Sequence, residues 1–69
     1  MNEDILKGKW RQIKGEVKSR WGKLTDDDMN RVEGDAEKLI GRVQERYGYQ
    51  RDEAQKEVDD FVRNHKDAI

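Results

Sequence analysis

"MNRVEGDAEKLI", residues 29–40, can be read as one helix or as two. Met29, Val32, Ala36, Leu39, Val43 and Tyr47 keep a single helical register straight through it. That reading gives one helix from 26 to 47 and a three-helix bundle. The tripeptide "EGD" at 33–35 argues for a break, with Gly34 ending one helix and Asp35 capping the next.

An internal repeat favours the break. "IKGEVKSRWG" at 13–22 is written again as "LIGRVQERYG" at 39–48. When the chain is shifted by 26 residues, Gly8, Gly15, Val17, Arg20, Gly22, Asp26 and Val32 fall on Gly34, Gly41, Val43, Arg46, Gly48, Asp52 and Val58. Leu6, Ile13, Trp21, Asp27 and Glu33 fall on the similar Val32, Leu39, Tyr47, Glu53 and Asp59. The match spans helix, turn and next helix, so the repeated unit reads as a helical hairpin. One hairpin cannot bury its apolar stripe alone, whereas two packed together can. Trp10 aligns with Ala36, a large residue against a small one, as interdigitating halves require. The expected fold is all-α: a small four-helix domain of two duplicated, orthogonally packed hairpins, with the three-helix bundle as the alternative.

The elements follow from the same spacing. Leu6, Trp10, Ile13, Val17 and Trp21 form the stripe of the first helix, and Gly22 is expected to be its left-handed cap. Thr25 opens "TDDDM" in the manner of a capping box, with Asp26, Asp27 and Asp28 at the positive end of the next helix. Val32, Ala36, Leu39, Val43 and Tyr47 repeat the stripe, with Ile40 beside it, and Gly48 closes that helix. "YQRDEA" opens the last helix, whose apolar face is Ala54, Val58, Phe61 and Val62. The tail "NHKDAI" is expected to fray. No strand pattern is present.

Gly8, Gly15 and Gly22 are seven residues apart, as are Gly34, Gly41 and Gly48. Gly15 points roughly 160° away from Ile13 and Val17, and Gly41 does the same relative to Leu39 and Val43. An outward glycine in mid-helix costs about 1 kcal/mol against alanine. Either these are relics of the repeat, or they let another backbone or a nucleic-acid phosphate approach closely, or they keep the helices loose until something binds.

Sixty-nine residues make one small domain, expected over 1–69, whose stability is marginal at this size. Hydrophobic residues are 32% and charged residues 45%, a composition leaning toward disorder, but 15 bases against 16 acids leave little self-repulsion. There is no cysteine, so neither a disulfide nor a thiolate metal site is available. "MNEDILKGKW" has no apolar leader core, and no apolar run reaches spanning length; the chain is expected to be soluble and cytoplasmic. The sole histidine, His65, stands near the end and reads as a surface residue; a zinc site or histidine-based nucleophile is not expected. Three consecutive aspartates at a helix start do not reproduce a calcium loop. No catalytic residue, cofactor or metal is expected. Partner and oligomeric state are left open.

Residues 7–49 resemble the CsbD-like family of bacterial general-stress proteins. The resemblance is carried by "KGKWRQIKGEVKSRWGKLTDDD", then "EGD", then "LIGRVQERYGY", and "DEAQKEVDDF" continues it. One departure is "GDAEKLIG" at 34–41, where the family more often has basic residues after the glycine; the second half is thereby more acidic. The resemblance implies two orthogonal helical hairpins, production under general stress, and no catalytic residue. The hydrophilic, glycine-containing composition also looks like that of the hydrophilins, small proteins associated with water deficit.

Charge distribution supplies the remaining functional signal. Residues 1–24 hold seven bases and three acids, a net +4, and the rest hold eight bases and thirteen acids, a net −5. Lys7, Arg11, Lys14 and Lys18 form a stripe on the first helix that could track phosphates, with binding that falls steeply as salt rises. The turns, however, lead into "DDD" and "DE", which repel phosphate. In the repeat, Lys7, Lys9, Arg11 and Glu16 align with Glu33, Asp35, Glu37 and Arg42, each charge inverted. The stripe can therefore complement the acidic half, within one molecule or between two. An anionic membrane surface is a further possibility, though Trp10 and Trp21 lie on the core stripe rather than outside it. The leading expectation is a non-enzymatic stress protectant acting through weak contacts. A nucleic-acid module using Lys7, Arg11, Lys14 and Lys18 is the alternative.

Overall fold

The computed structural model describes residues 6–66. A helical turn at 6–8 leads into α1 (Trp10–Arg20), followed by α2 (Asp26–Val32), α3 (Ala36–Tyr47) and α4 (Arg51–Lys66). Among the described residues there is no strand. The expected all-helical class and four principal helices are found, and the three-helix alternative is not.

The break at 33–35 has a local cause. Glu33 adopts a left-handed conformation (φ 45°, ψ 38°) and its N–H donates to the Met29 carbonyl at 3.2 Å. Gly34 follows at φ 85°. Asp35 then caps α3, its side chain accepting from the Lys38 N–H at 3.2 Å. Gly34 is required for space as well. A Cβ there would stand 2.8 Å from the Lys7 Cα and 3.3 Å from the Trp10 Cβ. The chain around residues 6–10 thus passes directly over the glycine.

The core is the union of the predicted stripes: Leu6, Ile13, Val17, Trp21, Met29, Val32, Leu39, Ile40, Val43, Ala54, Val58, Phe61 and Val62 are all buried, and Leu24 joins them. Trp10, expected on the stripe, is only half-buried and packs on the core from outside, as do Ala36, Tyr47 and Tyr49. The backbones of α3 and α4 approach most extensively, then those of α2 and α3. The first helix reaches the core mainly through side chains, above all Trp21, whose ring lies 5.2 Å from that of Phe61 at 55°.

Helix ends follow the sequence in part. The capping box at α2 is complete: the Thr25 hydroxyl accepts from the Asp28 N–H at 3.1 Å, and the Asp28 carboxylate accepts from the Thr25 N–H at 3.0 Å. Gly48 is a left-handed cap, φ 72°. Gly22 is not, which corrects the expectation. The last residue of α1's frame is Trp21 (φ −119°, ψ 77°), and the Leu24 N–H closes the turn on the Trp21 carbonyl at 3.0 Å. The chain leaves α1 without any left-handed residue because Trp21 is pulled inward and the turn at 21–23 does the reversing. Helix α4 extends to residue 66, past the point where fraying was expected to begin; residues 67–69 and the side chain of His65 lie outside the described residues.

Candidate functional site

Two charged features stand out, one in the core and one on the surface. The first is Asp28, a fully buried carboxylate. A carboxylate in such a place needs partners. The capping box supplies one. Arg46, from the end of α3, supplies a bidentate pair, its Nε 2.9 Å and its Nη2 3.2 Å from the two carboxylate oxygens. Arg42, one turn earlier, places Nη1 3.7 Å away. The Arg46 guanidinium is the main reason that the Asp28 carboxyl is held down at about pKa 2; burial opposes the shift, and the Thr25 N–H adds to it. This cluster locks α2 to α3.

Its counterpart at the end of α1 is built differently. Arg20, the repeat partner of Arg46, lies 3.6 Å from Glu57 of α4, a pair half-open to solvent. The same Glu57 accepts from the Trp21 indole N–H at 2.9 Å. In return, the Lys23 N–H donates to the Tyr47 hydroxyl at 3.3 Å, with the Lys23 ammonium 5.1 Å from the Tyr47 ring centre. Each half therefore reaches into the other: the end of α1 into α4, the end of α3 into α2 and the turn before it.

The second feature is the stripe Lys7, Arg11, Lys14 and Lys18. Lys7, Arg11 and Lys14 are exposed and Lys18 is half-exposed. Lys18 pairs with Asp26 across the turn, and Lys18 first and Lys14 more weakly hold the Asp26 carboxyl below its usual range. Lys7 shares a shallow depression with Glu33 and Asp35, residues that invert Lys7 and Lys9 in the repeat. Arg11 lines a wider one, about 700 Å³, with Lys7, Trp10 and Glu33. Gly15 and Gly41 face open space, as their register predicted. Among the described residues no group of three potential ligands is placed to hold a metal ion, and no helix is long and apolar enough to cross a membrane.

The sequence places Asp28 in the capping box of Thr25, beside Asp26 and Asp27, but does not show its pairing with Arg46. A signal for it existed. Asp26 and Asp27 recur as Asp52 and Glu53, but Asp28 aligns with Ala54, which is buried. An aspartate at a core position of the repeat calls for a cation inside the fold.

A small all-helical domain built on a diverged duplication is the class that this geometry defines. A CsbD-like family model matches residues 4–56, and the chain belongs to that family. It is 57% identical over 65 residues to the UPF0337 protein YjbJ of Escherichia coli O6:H1, covering 94% of each chain. It is 59% identical over 61 residues to YjbJ of Escherichia coli K12, covering 88% of each. Against the UPF0337 protein PA4738 of Pseudomonas aeruginosa it is 54% identical over 61 residues, 88% of this chain and 94% of the relative. No solved structure gives a significant match.

Proposed function

We propose that this protein is a non-enzymatic general-stress protein, a hydrophilic cytoplasmic protectant that folds as one domain and acts through weak, distributed contacts. Membership of the CsbD-like family supports the stress role. The observation that carries the mode of action is the internal matching of charge. Lys18 of the basic stripe pairs with Asp26, and Lys7 shares a depression with Glu33 and Asp35. A surface matched in this way offers no strong field to a single polyanion, and exposed pairs of this kind are each worth only about 0.2–1 kcal/mol. It remains well hydrated and free to make many weak contacts.

The test is protection of a drying-sensitive enzyme through dehydration and rehydration, with an equal mass of a globular control protein in parallel. Recovery above the control is expected, and Lys14→Glu combined with Lys18→Glu, which sets an acid against Asp26, should lower it. Recovery no better than the control overturns the reading. The nucleic-acid alternative rests on the exposed Lys7, Arg11 and Lys14. It requires the same double substitution to abolish binding to DNA without unfolding the protein.

A further inference from the structure

We infer that the segment 33–35 is a hinge through which two copies of this chain can exchange halves, giving a domain-swapped dimer. The partner is a second copy of the same chain, and four observations point to it. The apolar positions Met29, Val32, Ala36, Leu39, Val43 and Tyr47 keep one helical register across the break, so α2 and α3 can join into a single amphipathic helix over 26–47. The bend that prevents this is held by a strained residue: Glu33 is the one non-glycine residue at positive φ among those described. The connection is only three residues long, and short strained hinges favour exchange. Finally, the contacts that close the molecule join residues on opposite sides of the hinge: Trp21 with Phe61, Trp21 with Glu57, and Asp28 with Arg46. In the closed chain they form within one molecule. On a continuous helix Asp28 and Arg46 would stand about 27 Å apart along the axis, at 1.5 Å per residue. Their pair would then form only between chains, with the same atoms and the same burial.

Apart from the cover of residues 6–10 over Gly34, the exchange re-forms the same contacts between chains, so its balance is set by the hinge and by chain concentration. Straightening 33–35 relieves Glu33 but places Gly34 in mid-helix and lifts residues 6–10 from the glycine that they cover. Gly34→Ala acts on both sides at once. In the closed chain its Cβ meets the Lys7 Cα at φ 85°, and in the straight helix alanine is favoured. Glu33→Gly acts in the opposite sense, since glycine relaxes the bend and weakens the straight helix.

The experiment is refolding from denaturant at micromolar and at millimolar chain concentration, with mass read by light scattering behind a sizing column. The parent should give a minor dimer that grows with concentration. The dimer-to-monomer ratio should rise about tenfold or more for Gly34→Ala and fall about fivefold or more for Glu33→Gly. Preformed dimers of nitrogen-15-labelled and unlabelled chains should yield mixed dimers only after unfolding and refolding, as native mass spectrometry reads directly. Monomer alone at every concentration for the parent overturns the inference, as does a dimer that exchanges subunits without unfolding. Should Gly34→Ala fail to fold, the parent and Glu33→Gly decide it: an equal or larger dimer fraction in Glu33→Gly overturns it.

Discussion

Trp21-Gly22 and Tyr47-Gly48 occupy the same place in two copies of one sequence unit, yet they end their helices by different means. Trp21 is 1% exposed and fixes the end of α1 by its own burial, while Gly22 beside it is exposed and keeps no left-handed bend. Tyr47 is only half-buried, and there the bend itself is fixed, by Gly48 at φ 72° and its N–H bond to the Gln44 carbonyl at 2.8 Å. One end is anchored by a side chain and the other by the backbone. After a duplication, the same letter can keep its conformational duty in one copy and lose it in the other.

The largest expected effect of breaking this difference lies at the aromatic pair. Trp21→Ala should cost about 3–5 kcal/mol, because it empties a core site and removes the indole N–H that Glu57 accepts. Tyr47→Ala, at the half-buried equivalent, should cost clearly less. Equal losses in denaturant unfolding would mean that the two ends carry equal weight.

The next effect separates the two arginine pairs. Asp28→Asn should cost about 1–3 kcal/mol near neutral pH, since Arg46 loses a buried charged partner. Glu57→Gln, at the open pair with Arg20, should cost about 0.2–1 kcal/mol on that pair's account. The Asp28 effect also has a pH signature. An unfolded aspartate protonates near 3.8, whereas the folded Asp28 stays ionised down to about 2, so on acidification the unfolded state takes up the proton first. The stability contributed by the carboxylate is full above about pH 5, declines below the unfolded pKa and is gone below the folded one. The gap between parent and Asp28→Asn should therefore close as pH falls from 5 to 2. A gap that stays constant over that range would assign the effect to shape and not to charge.

The smallest effects test the glycines themselves. Gly48→Ala forces a side chain into the left-handed region and should destabilise by about 1–2 kcal/mol. Gly22→Ala meets nothing within 4 Å and no positive φ, so it should be neutral or stabilise by up to about 1 kcal/mol through the unfolded chain. Thermal unfolding of the two variants side by side checks this.

Most of the fold was legible in the sequence because it is written there twice. The stripes through Ile13 and Val17 and through Leu39 and Val43, the capping box at Thr25 and the break at Gly34 all appear where spacing placed them. Gly22 misled because a glycine after a helix allows a left-handed cap without requiring one. Trp10 was placed too deep because register fixes direction, not depth, and residues 6–10 are spent covering Gly34. The Asp28–Arg46 pair lay beyond local patterns, since 18 residues separate its members and only the fold brings them together. For the basic stripe, the charge inversion between repeats sets Lys7 against Glu33 and Lys9 against Asp35. It did not foresee that Lys18 would find Asp26 across the turn.

The most direct test of internal charge matching is an amide-resolved NMR titration with a short DNA duplex, at low and at physiological salt. The expected result is a dispersed spectrum whose resonances, including those of Lys7, Arg11, Lys14 and Lys18, do not move at physiological salt. Shifts centred on those four residues that persist at physiological salt would contradict it, and would make α1 a nucleic-acid-binding face.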